Sequence, residues 1–374
     1  APTDIYTLSL HDALPICRWL AGPAANGPPL AATGALRTHR LSPRLMLAFS
    51  APFLAVAGGG YYLTRPYAPD PQAAMWHQRG VESLRDGAYL TATRRLEQAL
   101  QIDPEYALAR ARLAEAFFEL DLSDRAKEEI LRIRHDSPSS WRLPRWARLQ
   151  TAAIESLLTH DRAGSISRYR EMLSAVPRSG QPAVWFDLGR AQERDSDTNG
   201  AIESYKTAVR LDPQSAAAWL RLAQVYRRTA NAPAALDALS RAEDLYRAAS
   251  NVEGLAEVDY SRGTLALDFR KPDDARPSLD RALRLAQESG NVHQQIRILL
   301  QAYEIPLLAS DLDESLKIAQ QAVDLARANR VETLTARALV ILGQVHYLRR
   351  DSAAAGSHYR PALDIALQYR APRI

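Results

Sequence analysis

Residues 185–213 read WFDLGRAQERDSDTNGAIESYKTAVRLDP. Counted from residue 182, Trp185 stands fourth, Leu188 seventh, Gly189 eighth, Ala201 twentieth, Tyr205 twenty-fourth, Ala208 twenty-seventh and Pro213 thirty-second. This spacing predicts two antiparallel helices. The small residues at the eighth, twentieth and twenty-seventh positions let them approach at the short end of about 8–10 Å. Trp, Leu and Tyr fill the space between neighbouring pairs. Pro213 removes a backbone donor and stops the second helix.

The same positions recur along the chain. The unit from 73 carries Trp76, Gly80, Ala92, Leu96, Ala99 and Pro104. The unit from 216 carries Trp219, Leu222, Ala223, Tyr226, Ala235, Leu239 and Ala242. A weaker set at 107 has Leu113, Ala114, Phe117, Ala126, Ile130 and Pro138, and one near 146 has Ala153, Tyr169 and Pro177. An insertion marked by Trp141, Pro144 and Trp146 precedes the latter, where it packs as a wedge or stands out as a recognition bump. Three further sets are Gly263/Ala275/Leu279/Ala282, Ser315/Ala319/Ala322 and Gly343/Ala355/Tyr359/Ala362. Units therefore start near 73, 107, 146, 182, 216, 256, 296 and 336, and the period lengthens from about 34 to about 40 residues at the fifth. Asn251 and Gly290-Asn291 read as helix stops that tolerate a left-handed backbone.

These intervals resemble the tetratricopeptide pattern W-x2-L-G…A-x3-F…P. The resemblance implies an all-α chain, an α-solenoid of about eight helical hairpins wound as a right-handed superhelix and preceded by one hydrophobic helix. A single hairpin cannot bury its apolar face, so hairpins stack and share one core. In such proteins the concave groove, lined by the first helix of each unit, holds a peptide or protein partner. Carried onto this register, the groove candidates are Phe186, Arg190, Gln224, Arg227, Tyr260, Thr264, Gln344 and Tyr347.

Composition narrows the function classes. One cysteine excludes a disulfide framework and a Cys-based zinc cluster. No metalloprotease, nucleophile-elbow, phosphate-loop or dinucleotide motif is present, so neither catalysis nor a cofactor or metal is expected. His346 and His358, the closest native histidine pair, fall on different helices and read as packing or surface residues. Only four of the 47 basic residues are Lys, and from 73 onward 42 basic residues stand against 40 acidic. That balance, with dispersed Arg doublets, argues against a nucleic-acid partner.

The N-terminal part differs. Ile5-Tyr6 and the run Thr7 to Ile16 resemble the translation of a common sequencing adaptor, and 1–16 is set aside from fold reasoning. Residues 17–44 are an Ala/Pro/Gly-rich linker expected to be disordered. Leu45–Thr64 lack charges over about twenty residues, enough to span about 30 Å of hydrocarbon. Three readings stand: a transmembrane helix, the apolar region of a signal peptide, or a buried core helix. Arg37, Arg40 and Arg44 place the N-side in the cytoplasm. The expected location is therefore a single-pass bacterial inner-membrane protein with a periplasmic array, or a secreted product after cleavage. A short linker, 65–72, leads to the array at 73–374.

The layout resembles the C-terminal half of bacterial regulators that carry a serine/threonine kinase or winged-helix domain before the membrane span. It implies a fragment: a partner-binding scaffold or sensory docking domain, not itself an enzyme. A small-ligand sensor in a transcriptional regulator and an envelope assembly factor are the alternatives. No polar capping element follows the last unit, so self-association through its open face is expected.

Overall fold

The computed structural model describes residues 67–136 and 142–369. The adaptor-like run, the linker and the apolar segment 45–64 lie outside the described residues. Among those described, all regular structure is helical.

The helices pair as eight hairpins. They are α1 Pro71–Arg85 with α2 Tyr89–Ile102, α3 Ala107–Glu119 with α4 Ser123–Asp136, α5 Arg145–Leu158 with α6 Arg162–Ala175, and α7 Gln181–Arg194 with α8 Thr198–Leu211. Then follow α9 Ala216–Arg228 with α10 Ala232–Ala248, and α11 Val252–Asp268 with α12 Pro272–Glu288. In the seventh hairpin the first helix is broken into α13 Val292–Ala302 and α14 Glu304–Leu308, packed on α15 Leu312–Ala328. Pro306 explains the break, since it has no N–H for the carbonyl of Ala302. α16 Glu332–Leu348 and α17 Ser352–Gln368 form the eighth.

Glycine and alanine sit where the helices of a pair cross. A methyl group built on Gly189 would lie 2.7 Å from the ring of Tyr205, and one on Gly343 would lie 2.6 Å from that of Tyr359. Gly80 and Gly263 meet Leu96 and Leu279 in the same way, at 2.6 Å each. Ala92, Ala201, Ala235, Ala275 and Ala355 are buried at the equivalent position of the second helix.

Turn chemistry explains the change of period. Within hairpins the chain reverses on one left-handed residue: Gly87, Asp121, His160, Ser196, Ala230, Arg270, Ser310 and Arg350. Between the early hairpins an extended residue before proline ends the second helix, as at Asp103-Pro104, Val176-Pro177 and Asp212-Pro213. From α10 onward the second helices run to 17 residues and exit through a left-handed residue instead, Ser250, Gly290 or Arg330. Asn251 and Asn291, expected among the helix stops, are N-caps. Their side chains accept from the N–H groups of Gly254 and Gln294.

In the insertion, Pro144 sits extended before α5, Leu143 is buried, and half-buried Trp146 packs into the core between the second and third hairpins. Trp141 lies outside the described residues.

The expected single-pass inner-membrane location is corrected. Among the described residues no helix is long and apolar enough to cross a membrane. The longest have 17 residues and each carries several charged side chains.

At the far end of the array Leu363 and Leu367 of α17 are 59% and 68% exposed. Val323, the counterpart of Leu363 in the preceding hairpin, is buried because the next hairpin covers it.

The buried ring of Tyr205 cannot retreat from a larger residue at 189. Gly189→Val should lower unfolding stability by about 1–3 kcal/mol through overpacking, read as a shift of the urea midpoint. An unchanged midpoint would show that the hairpin crossing is looser than described.

Candidate partner-binding surface

First helices of successive hairpins touch one another, as in α1–α3, α3–α5, α9–α11 and α13–α16. They therefore form the inner wall of the curl. That wall is largely engaged with itself.

Arg112 of α3 is almost wholly buried. It donates to Glu115 at 2.7 Å and to Asp187 of α7 at 2.5 Å, two hairpins away. Arg190 of α7 returns the contact, donating to Glu115 at 2.7 Å and to Glu119. Arg194 also reaches Glu119, and Arg85 at the end of α1 lies 3.8 Å from Asp187. Burial pushes the Asp187 carboxyl up, but Arg112 and Arg85 outweigh it and hold the group below the usual carboxylate range. His77 accompanies this cluster. Burial, with Arg112 and Arg85 nearby, pushes its imidazole down to about 3 and keeps it neutral.

The turn between α1 and α2 then reaches the fifth and sixth hairpins. Tyr246 donates its hydroxyl to Asp86 at 2.7 Å and Asn251 donates to the other carboxylate oxygen at 2.9 Å. Thr91 donates to Glu253 at 2.8 Å, Arg221 donates to the Tyr89 hydroxyl at 3.1 Å, and the Tyr89 ring meets His293 edge-on. The first hairpin thus closes over the inner face of the later ones.

This arrangement bears on the groove candidates. Phe186 and Arg190 are buried, Phe186 against Tyr205 and beneath Arg85, so neither is presented to a partner in this closed state. Thr264 is buried and donates to the carbonyl of Tyr260. Gln224 is half-buried and donates to Ser261, Arg227 pairs with Asp268 at 2.6 Å, and Tyr260 lies under the guanidinium of Arg297. Only Gln344 and Tyr347 are exposed. His346 and His358 come together from α16 and α17 with rings stacked 5.1 Å apart.

A surface that residue spacing had not singled out lies at the ends of the last first-helices. Phe269, Leu308 and Leu348 are 45%, 37% and 53% exposed. Leu308 and Leu348 end α14 and α16 at the same repeat position, and Phe269 follows the end of α11, one position later. Tyr347 stands beside them. The recurrence of Leu308 and Leu348 at 40 residues was a visible signal in the sequence, but the exposure of that position was not.

A family model described as "Tetratricopeptide repeat" matches residues 83–153, and one described as "TPR repeat" matches 196–229. Those two segments match tetratricopeptide models, and the described array has the fold of a tetratricopeptide α-solenoid. No curated protein sequence matches the chain significantly. Among solved structures, the APC/C hetero-tetramer Cut9–Hcn1 superimposes with a TM-score of 0.52 at 14% identity, covering 74% of this chain and 50% of that one. This chain thus spans half the length of that relative. A Rap protein complexed with competence and sporulation factor gives 0.51 at 14% identity, covering 71% and 78%. Yeast Tom70 gives 0.51 at 15% identity, covering 90% and 74%. At these identities the likeness concerns the fold of the tetratricopeptide array alone.

Asp86 gives the closure a pH dependence. Burial pushes its carboxyl from 3.8 up to about 6, while the bonds from Tyr246 and Asn251 pull the other way. The folded array therefore holds this proton more tightly than the unfolded chain. The associated stability is complete below the unfolded value and is lost as pH rises through about 6. Thermal unfolding of Asp86→Asn should lack this part of the decline between pH 4 and 6, and an identical profile in both proteins would refute it.

Proposed function

We propose that the chain is a protein-interaction scaffold that docks an amphipathic helix of its partner along the edge formed by Phe269, Leu308 and Leu348. The observation that carries this reading is the exposure of three large apolar residues at the ends of successive first helices, Leu308 and Leu348 at the same repeat position and Phe269 one residue later. Single exposed apolar side chains are ordinary on a protein surface, whereas a row of them is a contact surface. Stacked hairpins repeat at about 8–10 Å. Residues i and i+7 of a helix lie about 10.5 Å apart on one face, so such a partner can seat one anchor per hairpin. Gln344 and Tyr347 border the row, and Tyr347 supplies a hydroxyl for the polar rim. The repeat family supports the interaction class, and the filled inner wall favours this edge over the concave groove. A docking array of this kind would serve a signalling or regulatory protein as its partner-reading part.

A synthetic helix with leucines at i, i+7 and i+14 should bind with an affinity that its scrambled version lacks. Phe269→Ser with Leu348→Ser should abolish that binding while leaving the circular dichroism unchanged. Equal binding of both peptides, or of the double variant, would remove this reading.

We also propose that the open face of α17 self-associates through Leu363 and Leu367. Sedimentation velocity should show a concentration-dependent dimer that Leu363→Glu disperses, and a monomer at every concentration would exclude it.

A further inference from the structure

The closure that fills the inner wall also builds a chamber. A cavity of about 370 Å³ lies between residues of the first two hairpins and the turns preceding α13 and α16. That volume falls within the range of about 300–1,000 Å³ typical of small-molecule sites. Its apolar wall is made by Leu90, Leu120, Leu122, Val292 and Val331. Its polar lining combines Asn329, Tyr369 and Glu332 with two cationic side chains. Arg94 and Arg330 border it, and neither guanidinium has an ion-pair partner among the described residues. His293 and Thr333 also line it, more than nine-tenths buried, and their side chains have no hydrogen-bond partner among the described residues. Neither contributes a fully buried unpaired atom, so their polar groups open onto the cavity and are available to a ligand atom. Burial, with Arg297 and Arg337 nearby, pushes the His293 imidazole down to about 3, so it is neutral and can donate or accept. Glu332 is the one acidic side chain on the wall. α16 begins there behind Val331, which supplies no side-chain cap, so its first N–H groups add to the positive side.

We infer that this cavity binds a small amphipathic carboxylate, its apolar body against the leucine and valine wall and its carboxylate between Arg94, Arg330 and Thr333. Two arginines against one glutamate set the sign of the ligand. The five aliphatic side chains require an apolar body, which excludes inorganic anions and polar metabolites. Because the wall is contributed by both ends of the array, a bound ligand bridges them and favours the closed state over any state in which the first hairpin has lifted. This site is separate from the docking edge and does not depend on it.

Octanoate is the probe, with octan-1-ol and octyltrimethylammonium as the uncharged and oppositely charged controls. Calorimetric titration of the full chain should show saturable one-to-one binding of octanoate alone. Hydrogen exchange of residues 86–94 should slow in its presence. Arg94→Ala with Arg330→Ala, both at exposed positions, should weaken binding about tenfold or more, the loss of one charge-assisted hydrogen bond. Leu122→Trp, which fills the cavity, should abolish it. Equal binding of the alcohol, full affinity in the double arginine variant, or no saturation by octanoate would each overturn the inference.

Discussion

Arg112 is the side chain on which the inner wall depends. It is nearly inaccessible to water and lies between Glu115 on its own helix and Asp187 two hairpins further on. A buried guanidinium is tolerable only when its charge is matched, and here two carboxylates match it although Arg112 Nε and Asp187 Oδ1 have no hydrogen-bond partner among the described residues. That requirement fixes how far the second and fourth hairpins can rotate apart. Once α3 and α7 are held together, Arg190 and Arg194 meet Glu119, Arg85 meets Asp187, and the turn after α1 is delivered to Tyr246 and Asn251. Closure is thus a chain of ion pairs and hydrogen bonds, each of which sets the position of the next.

The outer architecture obeys a different constraint. Hairpins cross closely only where a glycine or alanine meets a large side chain, and Tyr205, Tyr359, Leu96 and Leu279 occupy the space that a second side chain would need. Early hairpins end on proline and late ones on a left-handed residue, so second helices gain about a turn from α10 onward. The late hairpins are the ones that leave Phe269, Leu308 and Leu348 in solvent.

The fold was legible because its determinants are local. Trp185, Gly189, Ala201, Tyr205 and Pro213 each act within one hairpin, and repetition makes them visible. The inner wall was not legible for the same reason. Register places Phe186 and Arg190 on the first helix of their unit, but it carries no information on how small rotations between units accumulate. Only accumulated curvature brings Asp86 to Tyr246, 160 residues away, and buries residues that an open groove would expose. Tyr347 and Gln344 are exposed because they lie beyond the reach of the first hairpin. Phe269 and Leu308 were passed over because apolar residues at helix ends are ordinarily covered.

An open solenoid behaves as a one-dimensional chain of neighbours, in which an end can fray without the middle registering it. Contacts such as Thr91 to Glu253, 162 residues apart, tie the first hairpin of this array to the sixth and close a loop. Loss of the first hairpin would then strip partners from the fifth and sixth, so unfolding should be more concerted than the repeat architecture implies. The same contacts are long in sequence, and forming them last imposes a slow final step on an otherwise local folding process.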